Sequence, residues 1–210
     1  MQRRYWMAAL ALAGMLTSPL LRAEAVTPDA FVRQMSEDVL AAVKADKAIQ
    51  AGDIGRIRAL VDAKVMPYVN FPRMVASAVG PQWRSASPEQ KTRMQEEFKT
   101  LLVNTYSGAL TQVKDQTVQV KPFRGAADQP DVVVRSEVRS KAEPIQLDYR
   151  LEKQAAEWKI YDVNVLGVWL VDQYRSSFAQ EIGASGIDGL IAKLVEKNKA
   201  AATPASGAKG

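Results

Sequence analysis

The sequence predicts an α+β domain: a strongly curved antiparallel sheet of about four strands, cradled by helices around an internal apolar cavity. Three observations carry this prediction. Residues 28–113 repeat their apolar side chains at helical spacing, residues 117–166 change to alternation, and residues 168–197 return to helical spacing. Strands that follow one another on short connections pair antiparallel and twist strongly. Helices massed before and after such a block cover one face of it, and the cone between them is a pocket wherever large side chains do not plug it.

Residues 1–25 read as a secretory signal peptide. Arg3 and Arg4 precede the uncharged run Trp6 to Leu16, Pro19 breaks it, and Leu21-Arg-Ala23 and Ala23-Glu-Ala25 both suit a small-x-small cleavage site. The run holds 11 residues, whereas spanning a bilayer takes about 20. Removing this segment leaves 210 − 25 = 185 residues, a size that buries roughly 70% of its unfolded surface. Residues 26–197 are therefore expected to form a single domain, and residues 198–210, rich in Ala, Pro, Gly, Ser and Lys, a disordered tail.

Thr27-Pro-Asp29 opens the first helix with a capping hydroxyl, a proline at the first helical position and an acid at the positive dipole end. Phe31, Met35, Val39 and Val43 share its apolar face. Ala51-Gly-Asp53 breaks it, and Asp53 caps a second helix with Ile54, Ile57, Val61 and Val65 as its buried stripe. A short helix follows Asn70-Phe-Pro72 and stops at Gly80-Pro81. Ser87-Pro-Glu-Gln90 is a capping box for a long helix over 88–113, whose band is Met94, Phe98, Leu101, Leu102, Thr105, Tyr106 and Leu110.

From Thr117 the period becomes two. Val118 and Val120 alternate with Gln119 and Lys121, Val132, Val134, Ser136 and Val138 keep strand phase, and Ile145, Leu147, Tyr149 and Leu151 oppose Gln146, Asp148 and Arg150. In the closing strand Trp158 and Ile160 fall in one phase and Tyr161, Val163 and Val165 in the other, which predicts that both faces are covered. After Gly167, Leu170, Tyr174, Phe178 and Ile182 recur every four residues, and Gly183-Ala-Ser-Gly186 breaks the helix before Ile187, Leu190, Ile191 and Leu194.

The chain has neither histidine nor cysteine. Ser-His-Asp and Cys-His nucleophilic machinery, disulfides and His or Cys zinc sites are thereby excluded. Asp46, Asp53 and Asp62 lack the loop spacing of a calcium site, and Gly183-Ala-Ser-Gly186 lacks the lysine of a phosphate loop, so no metal ligands, cofactor or catalytic set emerge. Asp162 beside Tyr161 leaves open an acid/base site on a hydrophobic small molecule; an acid alternating with apolar residues on a strand reads more readily as a solvated or hydrogen-bonded outer position. Formal charge is +5, of which the leader carries +2, so +3 remains on interleaved basic and acidic residues. That pattern is a solvated surface and carries no sign of nucleic-acid binding.

The order of Asn70-Phe-Pro-Arg-Met74, Val79-Gly-Pro-Gln-Trp-Arg84, Leu101-Leu-Val-Asn-Thr-Tyr106, Asp148-Tyr-Arg-Leu151, Trp158-Lys-Ile-Tyr-Asp-Val163, Val165-Leu-Gly-Val168, Tyr174-Arg-Ser-Ser-Phe178 and Gly186-Ile-Asp-Gly-Leu190 resembles the MlaC-type, or toluene-tolerance, auxiliary proteins of Gram-negative bacteria. The likeness runs from about 28 to 197. It implies a fold similar to nuclear-transport-factor-like cradles and a periplasmic carrier, for which a monomer is the expected state because the carrier must dock on complexes of two membranes. Such a carrier moves one phospholipid at a time between an outer-membrane lipoprotein and porin complex and an inner-membrane ABC transporter, without an enzymatic step. Leu166, Trp169 and Asn70 depart from the family's common acid, serine and aspartate. On this reading the acyl chains touch Met74 and Val75 on the short helix, Phe98, Leu102 and Tyr106 on the long one, Leu147, Tyr149, Val163 and Val165 on the sheet, and Val168 and Trp169 after the turn. Each of these positions also reads as plain core.

Overall fold

The computed structural model describes residues 26–126, 129–141, 143–155 and 157–202. The signal-peptide segment and residues 203–210 lie outside them. Six α-helices and six strands are described, with two short 3-10 helices at Met66–Tyr68 and Gly80–Arg84: α1 (Pro28–Ala45), α2 (Lys47–Gln50), α3 (Ile54–Lys64), α4 (Phe71–Val79), α5 (Pro88–Thr111), β1 (Thr117–Val120), β2 (Asp131–Val134), β3 (Ser136–Arg139), β4 (Ile145–Gln154), β5 (Glu157–Val165), β6 (Val168–Trp169) and α6 (Leu170–Ala202).

The helix starts follow the capping chemistry. Thr27 Oγ1 accepts from the Ala30 N–H, Asp53 from Arg56 and Asn70 from Arg73, while Ser87 and Gln90 close a reciprocal box at 3.2 and 3.0 Å. Each such cap is worth about 1 kcal/mol. The stops follow backbone freedom: Gly80, at φ +80°, ends α4, and Gly186, at φ +71° and ψ −175°, breaks α6 into two arms where the sequence placed a break.

Several boundaries differ from the sequence reading. The first helix ends at Asp46, whose carboxylate caps the one-turn α2, so the break comes before Ala51-Gly-Asp53. Ile54 is exposed and only Ile57 of the expected α3 stripe is buried. The last helix does not stop at 197. It runs to Ala202 because Asn198 is buried and donates from Nδ2 to the Glu97 carbonyl at 3.0 Å and its carboxylate at 2.9 Å.

The antiparallel sheet has the order β1-β3-β4-β5-β6, and β2 also pairs β4. The sequence counted about four strands; the extra two arise locally. β2 and β3 form one run against β4 in unbroken register, interrupted at Arg135 where the Ser136 N–H donates to the Asp148 carboxylate at 3.1 Å instead of to a ladder carbonyl. Val168 and Trp169, expected to begin the helical region, instead pair back onto Val165 and Asn164 as β6.

The closing strand carries the largest departure. Pairing steps from Arg150↔Asp162 to Leu151↔Ile160, so Tyr161 has no partner on β4. An extra residue reverses the alternation beyond it. Trp158, Ile160, Val163 and Val165 therefore share one face with Leu147, Tyr149 and Leu151, and the opposite face carries Asp148, Arg150, Asp162 and Asn164. Both faces are covered, but one is apolar and the other polar: Trp158 and Ile160 are buried on the first, Asp148, Asp162 and Asn164 on the second.

Candidate functional site

The apolar interior is divided. One cluster joins α4, α5 and α6 around Met74, Val75, Phe98, Phe178, Ile182 and Leu194; a second joins α1 to the sheet around Val32, Met35, Tyr149, Leu151 and Ile160; a third joins α1, α2, α3 and α5 around Val43, Ile49, Ile57 and Val103. Partly buried Val69 packs against the first two, and Val39 against the last two. A domain of this size ordinarily forms one contiguous core.

The residues expected to contact acyl chains distribute over this divided interior. Met74, Val75 and Phe98 are buried in the helical cluster, where Phe98 sits 4.9 Å from Tyr174, 5.2 Å from Phe178 and 6.1 Å from Phe71, centroid to centroid. Tyr149 is buried in the sheet cluster, with Leu147 and Val163 half-buried against it. Leu102 and Tyr106 are half-buried on α5. Burial pushes the hydroxyls of Tyr106 and Tyr174 up, and their mutual proximity adds to the shift for Tyr106. Val165 is half-buried beside Leu147, and Val168, directly opposite Val165, is exposed.

Trp169 stands apart. It pairs with Asn164, on the polar face, and the Arg150 guanidinium lies 4.0 Å from its ring centroid. The structure thus separates it from the apolar side chains with which the sequence grouped it. Two concave surfaces lie elsewhere: a cleft of about 770 Å³ lined by Ala42, Ala45, Ala59 and Ala63 between α1 and α3, and one of about 400 Å³ lined by Arg73, Ser77, Trp83 and Arg84. Neither includes an expected acyl-contact residue.

The polar face is a clasp between helices and sheet that sequence reasoning missed. Arg73 on α4 donates to Glu152 and, at 2.8 Å, to Asp131, with its guanidinium 3.6 Å from the Tyr161 ring centroid. Asn70 also donates to Glu152. Burial alone would raise Glu152, yet hydrogen bonds from Asn70, Arg73 and Gln154 hold its carboxyl below the usual range. Arg150 bridges Asp162 at 2.8 Å and Asp172 of α6 at 3.4 Å. On β4 these charges alternate with apolar residues, a pattern identical to a solvated outer face, so only the partners on α4 and α6 reveal the clasp.

Asp162 is fully buried. Its Oδ1 accepts the N–H groups of Val171 at 3.0 Å and Val163 at 2.9 Å, and Oδ2 takes Arg150. Burial pushes its carboxyl up, against the pull of the Val171 N–H and Arg150. With both oxygens engaged in holding the start of α6, Asp162 is a structural fastener. Tyr161 lies under Arg73. Among the described residues no group of carboxylates is arranged to hold a metal ion, and no helix is long and apolar enough to cross a membrane.

The model of the MlaC protein family matches residues 33–196. The chain belongs to the MlaC family. Two relatives are similar along most of their length: the intermembrane phospholipid transport system binding protein MlaC of Haemophilus influenzae is 24% identical over 172 residues, covering 80% of each chain. The toluene tolerance protein ttg2D of Pseudomonas putida is 26% identical over 190 residues, covering 87% of this chain and 88% of that one. Among solved MlaC-like folds, a phospholipid-binding protein from Ralstonia solanacearum, in complex with a phospholipid, superposes with a TM-score of 0.81 at 44% identity. That match spans 86% of this chain and all of the other.

Proposed function

We propose that this MlaC-family chain is a periplasmic phospholipid carrier, a monomer that shuttles single lipids between an outer-membrane lipoprotein and porin complex and an inner-membrane ABC transporter, and so maintains outer-membrane lipid asymmetry. The observation that carries the reading is the divided apolar interior, in a fold whose 44%-identical Ralstonia relative is a complex with a phospholipid. Acyl chains occupy the seam between the helical cluster and the sheet. Leu102 and Tyr106 face it from α5, Leu147, Tyr149, Val163, Val165 and Val168 from the sheet, and Met74, Val75 and Phe98 form the wall behind. Each methylene withdrawn from water contributes about 0.8 kcal/mol, so two chains of ordinary length supply enough free energy to hold a lipid outside a membrane. No enzymatic step is required, and the phospholipid is cargo.

Mass spectrometry of a solvent extract from the natively purified protein tests this. A phospholipid near one per chain is expected, and its absence would overturn the carrier reading. Fractionation of intact cells should find the protein in the periplasm.

A further inference from the structure

The β5–β6 hairpin turns on two residues, Leu166 at φ +53° and Gly167 at φ +89°. A two-residue connection demands positive φ, and Asn, Asp or Gly meet that demand without strain. Leucine does not. A bulky side chain held in the left-handed region is an outlier whose persistence points to a use beyond the turn itself.

The surroundings indicate that use. Leu166 is 65% exposed, and beside it lie Val168 at 48% and Ile145 at 46%. The three are bound into one sheet end: the Leu166 N–H donates to the Gln146 carbonyl at 3.1 Å, and Val168 pairs with Val165, which pairs with Leu147. Leu147, Val165 and Val168 share the apolar face of Tyr149 and Val163. Along that face burial decreases outward, from Tyr149 at 6% exposed through half-buried Val163, Leu147 and Val165 to exposed Val168. The exposed apolar end therefore continues the interior face and is not an isolated surface spot.

We infer that Leu166, with Val168 and Ile145, forms an apolar lip over which the acyl chains of a phospholipid slide into and out of the carrier. The inference rests on the carrier reading and adds the route the lipid takes. A chain leaving a bilayer crosses water, and apolar side chains at the mouth shield it while the interior is only partly filled. The fold keeps a strained leucine where an asparagine would be easier to build because the exposed side chain is the useful part.

Leu166→Asn tests this directly, since asparagine suits the left-handed turn and removes the apolar surface. Delipidated protein is mixed with vesicles carrying a fluorescent phospholipid, and the rate of lipid uptake is followed. Uptake by the variant is expected to be about tenfold slower, equivalent to ~1.4 kcal/mol in the barrier, while its thermal midpoint stays level or rises. Should asparagine disturb the fold, Leu166→Gly carries the same test. Equal uptake rates, or no uptake by the native sequence from vesicles, would overturn the lip. Absence of phospholipid from the natively purified protein would instead overturn the carrier reading.

Discussion

Placing a carboxylate at Val165 discriminates a lipid-filled seam from a packed one. In the structure Val165 is half-buried, with Leu147 and Val168 as its cross-strand neighbours and Val168 nearly half exposed. A glutamate side chain there can reach water when no lipid is present, so Val165→Glu is expected to lower folding stability by only about 1 kcal/mol. With acyl chains in the seam the same carboxylate must be stripped of water or neutralised against hydrocarbon. Even a modest penalty of about 3 kcal/mol weakens lipid binding roughly a hundredfold. The assay is paired: thermal unfolding by circular dichroism for the fold, and phosphorus content of the purified protein for the cargo. A folded, lipid-free variant is expected. A folded variant that keeps its full phospholipid complement would show that Val165 does not face the seam.

Phe98→Ala empties the centre of a four-ring cluster and should cost about 3–5 kcal/mol, which at about 2–4 °C per kcal/mol for a domain of this size lowers the thermal midpoint by about 10 °C. A drop under about 3 °C would show that the ring is not packed as described. Asp162→Ala leaves the Val171 N–H without its acceptor and Arg150 with Asp172 alone, and should cost about 2–3 kcal/mol, whereas Asp162→Asn keeps an oxygen for Val171 and should cost clearly less in urea titrations. The reverse order would refute the fastener role. Glu152 has a folded carboxyl below its ordinary value of 4.5, so the stability it contributes is present above that pH and is lost as the pH falls below it. Glu152→Gln should therefore flatten the acid limb of the stability profile below about pH 4.5, and an unchanged limb in calorimetry would refute the assignment.

Much of the fold was legible because local chemistry is strong at its boundaries. The Ser87 and Gln90 box, the Asp53 cap and the Gly186 break each depend on a few adjacent residues, and each stands where the pattern placed it. What depended on distant partners was not legible. Ile54 looked like core at helical spacing but is 38% exposed, and Val103, off the expected band of α5, is buried because α3 packs on that side as well. The missed clasp has the same origin: Arg73 meets Glu152 across 79 residues of sequence. Trp169 changed sides for a third reason, since the β6 pairing fixes its face.

The unpaired Tyr161 has a consequence for which sequence changes the strand can accept. Downstream of it, greasy and wet sides are assigned by the count of residues since Ile160, and β-strands repeat every two. Removing Tyr161 itself would close the bulge and leave Ile160 opposite Leu151, Asp162 opposite Arg150 and Val163 opposite Tyr149, so both sides of the strand keep their residues. Removing Val163 instead would turn Asn164 toward the apolar side and Val165 toward the guanidinium clasp. The bulge position therefore accepts a one-residue deletion that its neighbours cannot, a tolerance that no individual side chain there would disclose.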